Sequence, residues 1–297
     1  MQITSLTANK TIPFSDVLSE ILRFDLLPVP LSFEFSVKMT DEYMNLFAEG
    51  KEILVGDIDA PLIIIKSQPL KTQTIKNGER IGAIACVAIL SGMENLIKST
   101  NKAIIQNATS FNAVVRACGC KLSLNAGVPL SKFVCLKGVI PTYCIATALQ
   151  KEACVFGFIG NKVTVIKIDD LFKKDASMTL DDSAIAWVNS QVIADIHKNA
   201  YVGIDKDGST VLGSSGSTSG IGVVQKAGLT SRELKNMSKV LVTRGTIVRP
   251  LDTNIKAGDL VKIGEKSYVI LTVAHRFDTG ALGGSSVTAT KIWIASL

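Results

Sequence analysis

The residues best placed to do chemistry in this chain are a Gly/Ser run, two acidic pairs, two histidines and six cysteines. The run GSSGSTSGIG, Gly213 to Gly222, lacks the Gly-Lys-Ser/Thr ending by which a phosphate-binding loop reaches phosphates and magnesium. A nucleophile elbow needs Gly-x-Ser-x-Gly, and the segment Gly216 to Gly220 carries Thr218 at its centre. The run therefore reads as a flexible loop or an ordered turn on a partner surface. Asp169-Asp170 and Asp181-Asp182 would serve as general acid and base only if the fold set them at glycosidase separation. Adjacent in sequence and at element ends, they read as caps instead. His197, in ADIHKN, and His275, in VILTVAHRFD, have no Cys, Ser or Asp partner fixed by spacing, so each reads as a satisfied structural residue. Cys86, Cys118, Cys120, Cys135, Cys144 and Cys154 contain no Cys-x-x-Cys pair. They are expected to be reduced, small hydrophobes with no metal and no cofactor. Nothing in these residues amounts to an enzyme signature. Trp187 and Trp293, with Ile292 and Ile294 on the last strand, read as core or interface anchors.

Composition points the same way. The hydrophobic fraction is 47% and the mean hydropathy +0.32, while aromatics are only 6%, so part of the surface is expected to be hidden in an assembly. The most apolar stretch, Ile81 to Leu90, is half of what a membrane helix needs, and no membrane insertion is expected. The start MQITSLTANKTIPF has no basic-then-apolar secretory pattern, which predicts a chain made and assembled in the cytoplasm. The net charge of +6 is matched by Lys226 to Arg276, where ten Lys and Arg face four acids, a stretch fit for an acidic partner or nucleic acid, or for guarding strand edges.

The elements that must position these residues are mostly strands. SFEFSVKM, Ser32 to Met39, alternates with Phe33, Phe35, Val37 and Met39 on one face. Thr40 caps a short helix, and Pro28 and Pro30 argue against a central strand before them. Ser110 opens one helix, Pro141 a second, and Thr230 with Glu233 forms a capping box for a third. Two segments look like copies of one β-unit, Ala48 to Leu90 and Lys256 to Leu297: each runs Gly, short strand, Gly, long strand, Gly-containing turn and return strand, the turns lying at Asn77-Gly78 and Gly280 to Gly284. The expected fold is mainly β with an α+β insert: residues 1–95 as a first β-module, 96–173 as a small α/β domain, and 174–297 as a second β-module with a flexible loop at 213–222.

The C-terminal segment RPLDTNIKAGDLVKIGEKSYVILTVAHRFDTGALGGSSVTATKIWI resembles the closing barrel of phage baseplate hub proteins, of the kind related to the late-control D protein. The matching pieces are Ile255 to Val261, Gly264 to Val269, Val273 to His275 and Val287 to Ile294, and IPTYCIATALQKEACVFGFIGNKVTVIKIDDLF resembles the helix and hairpin of the insert in such hubs. The resemblance implies two tail-tube-like barrels per chain and a homotrimer in which modules alternate around one axis as a pseudo-sixfold ring. It implies as partners the tail tube or its adaptor ring, the spike and the tape-measure protein, with DNA only in transit, and a place in the virion baseplate or a related contractile injection system. The alternatives are a tail-associated cell-wall hydrolase and a tail-tube or host-binding β-protein.

Overall fold

A computed structural model describes residues 1–76, 79–125, 127–188, 200–204, 207–213, 222–282 and 284–297, with the side chains of 71–81 outside the description. His197 and most of the Gly/Ser run therefore lie outside the described residues, as does the Asn77-Gly78 turn. In chain order, β1 is Ile3–Ser5, β2 Lys10–Thr11, β3 Val17–Asp25 and β4 Leu31–Lys38, followed by α1, Asp41–Leu46. Then come β5 Glu52–Val55, β6 Ile58–Lys76 and β7 Glu79–Leu90. The insert holds β8 Ile104–Ser110, α2 Phe111–Ala117, β9 Pro129–Cys135, α3 Pro141–Lys151, β10 Cys154–Ile159, β11 Lys162–Lys167 and α4 Ile168–Leu171. The remainder is β12 Ala176–Leu180, β13 Ala186–Trp187, β14 Ala200–Ile204, β15 Thr210–Leu212, β16 Val223–Gln225, α5 Ser231–Met237, β17 Val242–Arg249, β18 Leu260–Ile263, β19 Lys266–Asp278 and β20 Val287–Ser296.

Alternation builds β4: Phe33, Phe35 and Val37 are buried, and Phe33 stacks on Phe35 at 5.1 Å. Met39, expected on that face, lies beyond the strand and is 44% exposed. The strand before it is also not what the prolines suggest. β3 ends at Asp25, leaving Pro28 and Pro30 in the connection, and it pairs antiparallel with both β4 and β19, which makes it central. Thr40 accepts the Tyr43 amide at the start of α1, Ser110 that of Ala113 in α2, and the Thr230–Glu233 box opens α5, as their sequences require.

One 13-stranded sheet runs β13-β17-β20-β19-β3-β4-β7-β6-β5-β1-β2, with β18 beside β19 and β12 beside β18. Within it the two repeated segments share strand order, β7-β6-β5 and β20-β19-β18, and β4 and β17 take matching places beside them. Their hydrogen bonds match as well. The Gly50 amide donates to the Ile64 carbonyl at 2.8 Å and the Ile64 amide to Lys51 at 2.9 Å; Gly258 donates to Ile270 at 2.8 Å and Ile270 to Asp259 at 2.9 Å. Both glycines hold a left-handed φ, +86° and +92°, that a side chain would strain. In each long strand the register then slips by one residue at the next position, between Ile64 and Lys66 and between Ile270 and Thr272. A shared bulge at a shared bond is hard to reach by chance alternation, and we treat the two segments as one unit used twice.

A separate three-stranded sheet, β15-β14-β16, and α5 stand apart from the large sheet and dock on the insert. Arg232 forks onto both carboxylate oxygens of Glu152, a side chain only 4% exposed at the end of α3, and Asn236 donates to the Lys151 carbonyl at 2.9 Å. Arg232→Ala strands that buried carboxylate and is expected to cost about 2 kcal/mol in a urea melt. Replacing both Arg232 and Glu152 with Met should recover most of the loss; a single variant as stable as wild type would show that the fork carries no load.

Candidate functional site

The sequence singles out groups that the fold uses structurally. Asp181 accepts the Ser183 amide at 2.9 Å, Asp169 pairs with Lys239 and Asp170 with Lys173, so the acidic pairs act as caps and surface ion pairs. His275 is fully buried. Its Nε2–H donates to the Ile255 carbonyl at 3.1 Å, and its Nδ1 accepts the Thr290 hydroxyl at 3.0 Å. The insert thiols of Cys118, Cys120, Cys135 and Cys144 gather around α2, β9 and α3. Burial, then the neighbouring thiols, pushes Cys118 up to about 12, and burial followed by contact with Cys135 pushes Cys144 up to about 11. Thiols held that high stay protonated and unreactive at neutral pH. Among the described residues no group of three or more His, Cys, Asp or Glu is placed to hold a metal, and no described helix is long and apolar enough to cross a membrane.

The basic stretch Lys226 to Arg276 does not form one patch of free cations. Arg232 turns to Glu152, Lys239 to Asp169, Arg276 to Asp278, and Lys256 lies over the Phe24 ring at 5.7 Å. Of the four anchor candidates, Ile292 and Ile294 are entirely buried in the chain's own core, because β20 turns its even-numbered positions there inward. Trp293 faces the other way with the Lys291 ammonium 4.9 Å from its ring centre. Trp187 is partly exposed at the end of the sheet, so only the two tryptophans offer surface to a neighbour.

Among the described residues, two of the strand edges left open by the large sheet stand out. The first is β6 beyond its bulge. Among the described residues no strand lies along Ser67 to Leu70 on the side away from β7; instead the Ser67 amide donates to the Glu49 carboxylate at 3.3 Å. Pro69 sits in this edge, where a strand tolerates a missing amide. The second edge is β13, which pairs only with β17. There the Trp187 indole donates to Asp182 at 3.1 Å and its ring lies 5.5 Å from that of Tyr268. A cavity of about 530 Å³ opens beside it, lined by Trp187, Val188, Arg244, Lys266, Tyr268 and Ser296 among others. Periodicity in the sequence could not reveal these edges, since they are defined by which strands are absent.

No protein family model matches this chain, and no curated protein matches it in sequence. Solved structures do match. The tail protein of Neisseria meningitidis MC58 superposes with a TM-score of 0.66 at 11% identity, over 99% of this chain and 95% of that one. Prophage tail protein gp18 of Listeria monocytogenes EGD-e gives 0.60 at 10% identity, over 100% and 94%. The E. coli c3393 protein, a type VI secretion component described as similar to the phage T4 tail proteins gp27 and gp5, gives 0.55 at 9%, over 95% and 74%. The chain therefore has the mainly β fold of these phage tail proteins.

Proposed function

We propose that this chain is a structural baseplate hub: a homotrimer whose six β-modules form a pseudo-sixfold ring, joining a sixfold tail tube to a trimeric spike and lining the channel for tape measure and DNA. On this reading residues 1–95 and 174–297 are the two modules, 96–173 is the insert, and the mechanism is assembly and passage of cargo without turnover. The neighbours' tail-protein fold supports the setting. The observation that carries the ring is the way the two modules already meet inside one chain.

Across the first module one row of directly opposed residues reads Lys66, Val87, Glu34, Ile21, and across the second the same row reads Thr272, Trp293, Thr246, Ala186. β13 thus holds the place beside β17 that β3 holds beside β4. β3 goes on to pair with β19, Ile21 opposite Arg276 and Arg23 opposite Ala274, four and two residues past Thr272. Repeating that step takes β13 of one copy to the open edge of β6 in the next, with Ala186 opposite Leu70 and Val188 opposite Gln68. Three repeats close the ring and pair both of these edges in every chain. Because Pro69 removes a ladder donor, one such joint is weak alone, which favours a closed ring over a two-chain encounter.

The test is a disulfide. The Ser67 amide points out of the sheet edge, so its neighbour Gln68 would face Val188 in a non-hydrogen-bonded pair, whose Cβ atoms come close enough to bridge. Chains carrying both Gln68→Cys and Val188→Cys are expected to give covalent trimers and no longer species on mild oxidation, and threefold rings with a pore in negative stain. Monomers only, or open-ended ladders, would sink the ring.

A further inference from the structure

We infer that the insert carries a second surface for a neighbouring copy, a basic apolar face that receives α1 of the next chain; this rests on the ring reading. Between Asn95 and Lys151 the sequence has seven Lys and Arg and not one Asp or Glu. Residues 96–173 hold ten bases and three acids, a net +7, whereas residues 1–95 hold eight bases and twelve acids, a net −4. The fold concentrates part of this charge. Backbone bonds from Thr100 to Val139, 3.0 Å, and from Gly138 to Thr100, 2.8 Å, hold Lys98 and Lys102 beside Lys137 at one end of the β8–β9 sheet. Among the described residues none of these three lysines has an ion-pair partner.

Beside them the two-stranded sheet turns apolar side chains outward. Ile105 is directly opposite Val134, and they are 59% and 38% exposed; Leu136 follows at 57%, and Tyr143, in the first turn of α3, at 77%. Scattered exposed apolar residues need no explanation, but a large, one-sided group bordered by unpaired cations marks a docking face. Its complement must be apolar with carboxylates at the border. The chain itself supplies one: Asp41 and Glu42 begin α1, Met39 and Met44 flank them at 44% and 47% exposed, and Phe14 is 58% exposed nearby in the same module. Among the described residues Glu42 also pairs with Lys10 in its own module, which leaves Asp41 as the carboxylate without an ion pair there, and no ion pair joins the two surfaces within one chain. Unlike patches on one molecule make a head-to-tail contact, the kind that closes rings. Because the borders are charged, the contact would select its register as well as add affinity.

The experiment is a charge exchange. Lys102→Glu with Lys137→Glu, or Asp41→Lys with Glu42→Lys, should each weaken assembly by about tenfold or more in sedimentation, and the four changes together should restore it to within about threefold. In wild-type assemblies mixed from ¹⁴N and ¹⁵N chains, a carbodiimide should join Lys98, Lys102 or Lys137 to Asp41 or Glu42 across isotope labels. Assembly indifferent to the exchange, failure of the fourfold variant to recover, links only within one chain, or salt-sensitive capture of a different acidic protein at this face would each overturn the inference. If the Gln68–Val188 trimer still forms in those cases, the ring stands without this contact; if no trimer forms by either route, both fall.

Discussion

Ile294→Asp is expected to leave no folded protein, while Trp293→Asp, one residue away, is expected to fold with a loss of about 1 kcal/mol. The two side chains point to opposite faces of β20. Ile294 is 0% exposed and its strand neighbours Ile270 and Gly245 lie directly across from it, so a carboxylate there has neither water nor cation within reach. Burying an unpaired charge costs well above about 4 kcal/mol, most of what holds a domain together. At position 293 the new carboxylate would meet the Lys291 ammonium that now lies over the indole. Soluble yield and far-ultraviolet circular dichroism decide the matter. A folded Ile294→Asp chain would mean that the inward face of β20 has been assigned backwards.

His275→Leu is expected to cost about 2–3 kcal/mol at neutral pH and to remove part of the protein's sensitivity to acid. The ring joins two levels of structure: it is held by Thr290 of β20 and by the Ile255 carbonyl, and Thr290 in turn accepts the Asp252 amide at 2.9 Å. Leucine fills the space but leaves that carbonyl without a donor and the Thr290 O–H without an acceptor. Burial lowers the imidazole below its usual value of 6.5, so the folded chain keeps it neutral while the unfolded chain protonates it. Below about pH 6.5 the unfolded state binds the extra proton, and stability falls by at most about 1.4 kcal/mol per pH unit from this residue. Urea melts at pH 7.5, 6.5 and 5.5 should show the gap between wild type and variant narrowing as pH falls. A gap independent of pH would mean that the histidine titrates alike in both states.

Local signals in the sequence were reliable guides where a single residue's geometry decides structure. Thr40, Ser110 and Thr230 each cap the helix they announce, Gly160 and Asn161 both take left-handed φ to turn the β10–β11 hairpin, and the spacing of Gly50 and Gly258 exposed the repeat. What stayed hidden depends on partners far away in the chain. Pro28 and Pro30 argue against a strand only at their own positions, so they say nothing against β3, which stops at Asp25 and takes its second neighbour from β19. Ile292 and Ile294 read as anchors because they are apolar; whether they anchor this chain or another depends on the sheet that covers them. Most of the Gly/Ser run lies outside the described residues. That site is a pair of edges, and an edge is written in the sequence only faintly, here by Pro69.

The antiparallel joint between β3 and β19 sets the timing of folding. Asp25 and Thr272, bonded side chain to side chain across it, are 247 residues apart in the chain. At about 5–20 residues per second, a ribosome that has released β3 needs roughly ten to fifty seconds to deliver the strand that covers it. Through that interval the nascent first module presents a bare central strand, the kind of surface on which chains aggregate. Slow long-range closure also places the decisive step after synthesis. Expression at low temperature or with a holding chaperone should therefore raise the yield of assembly-competent chain more than it raises total synthesis.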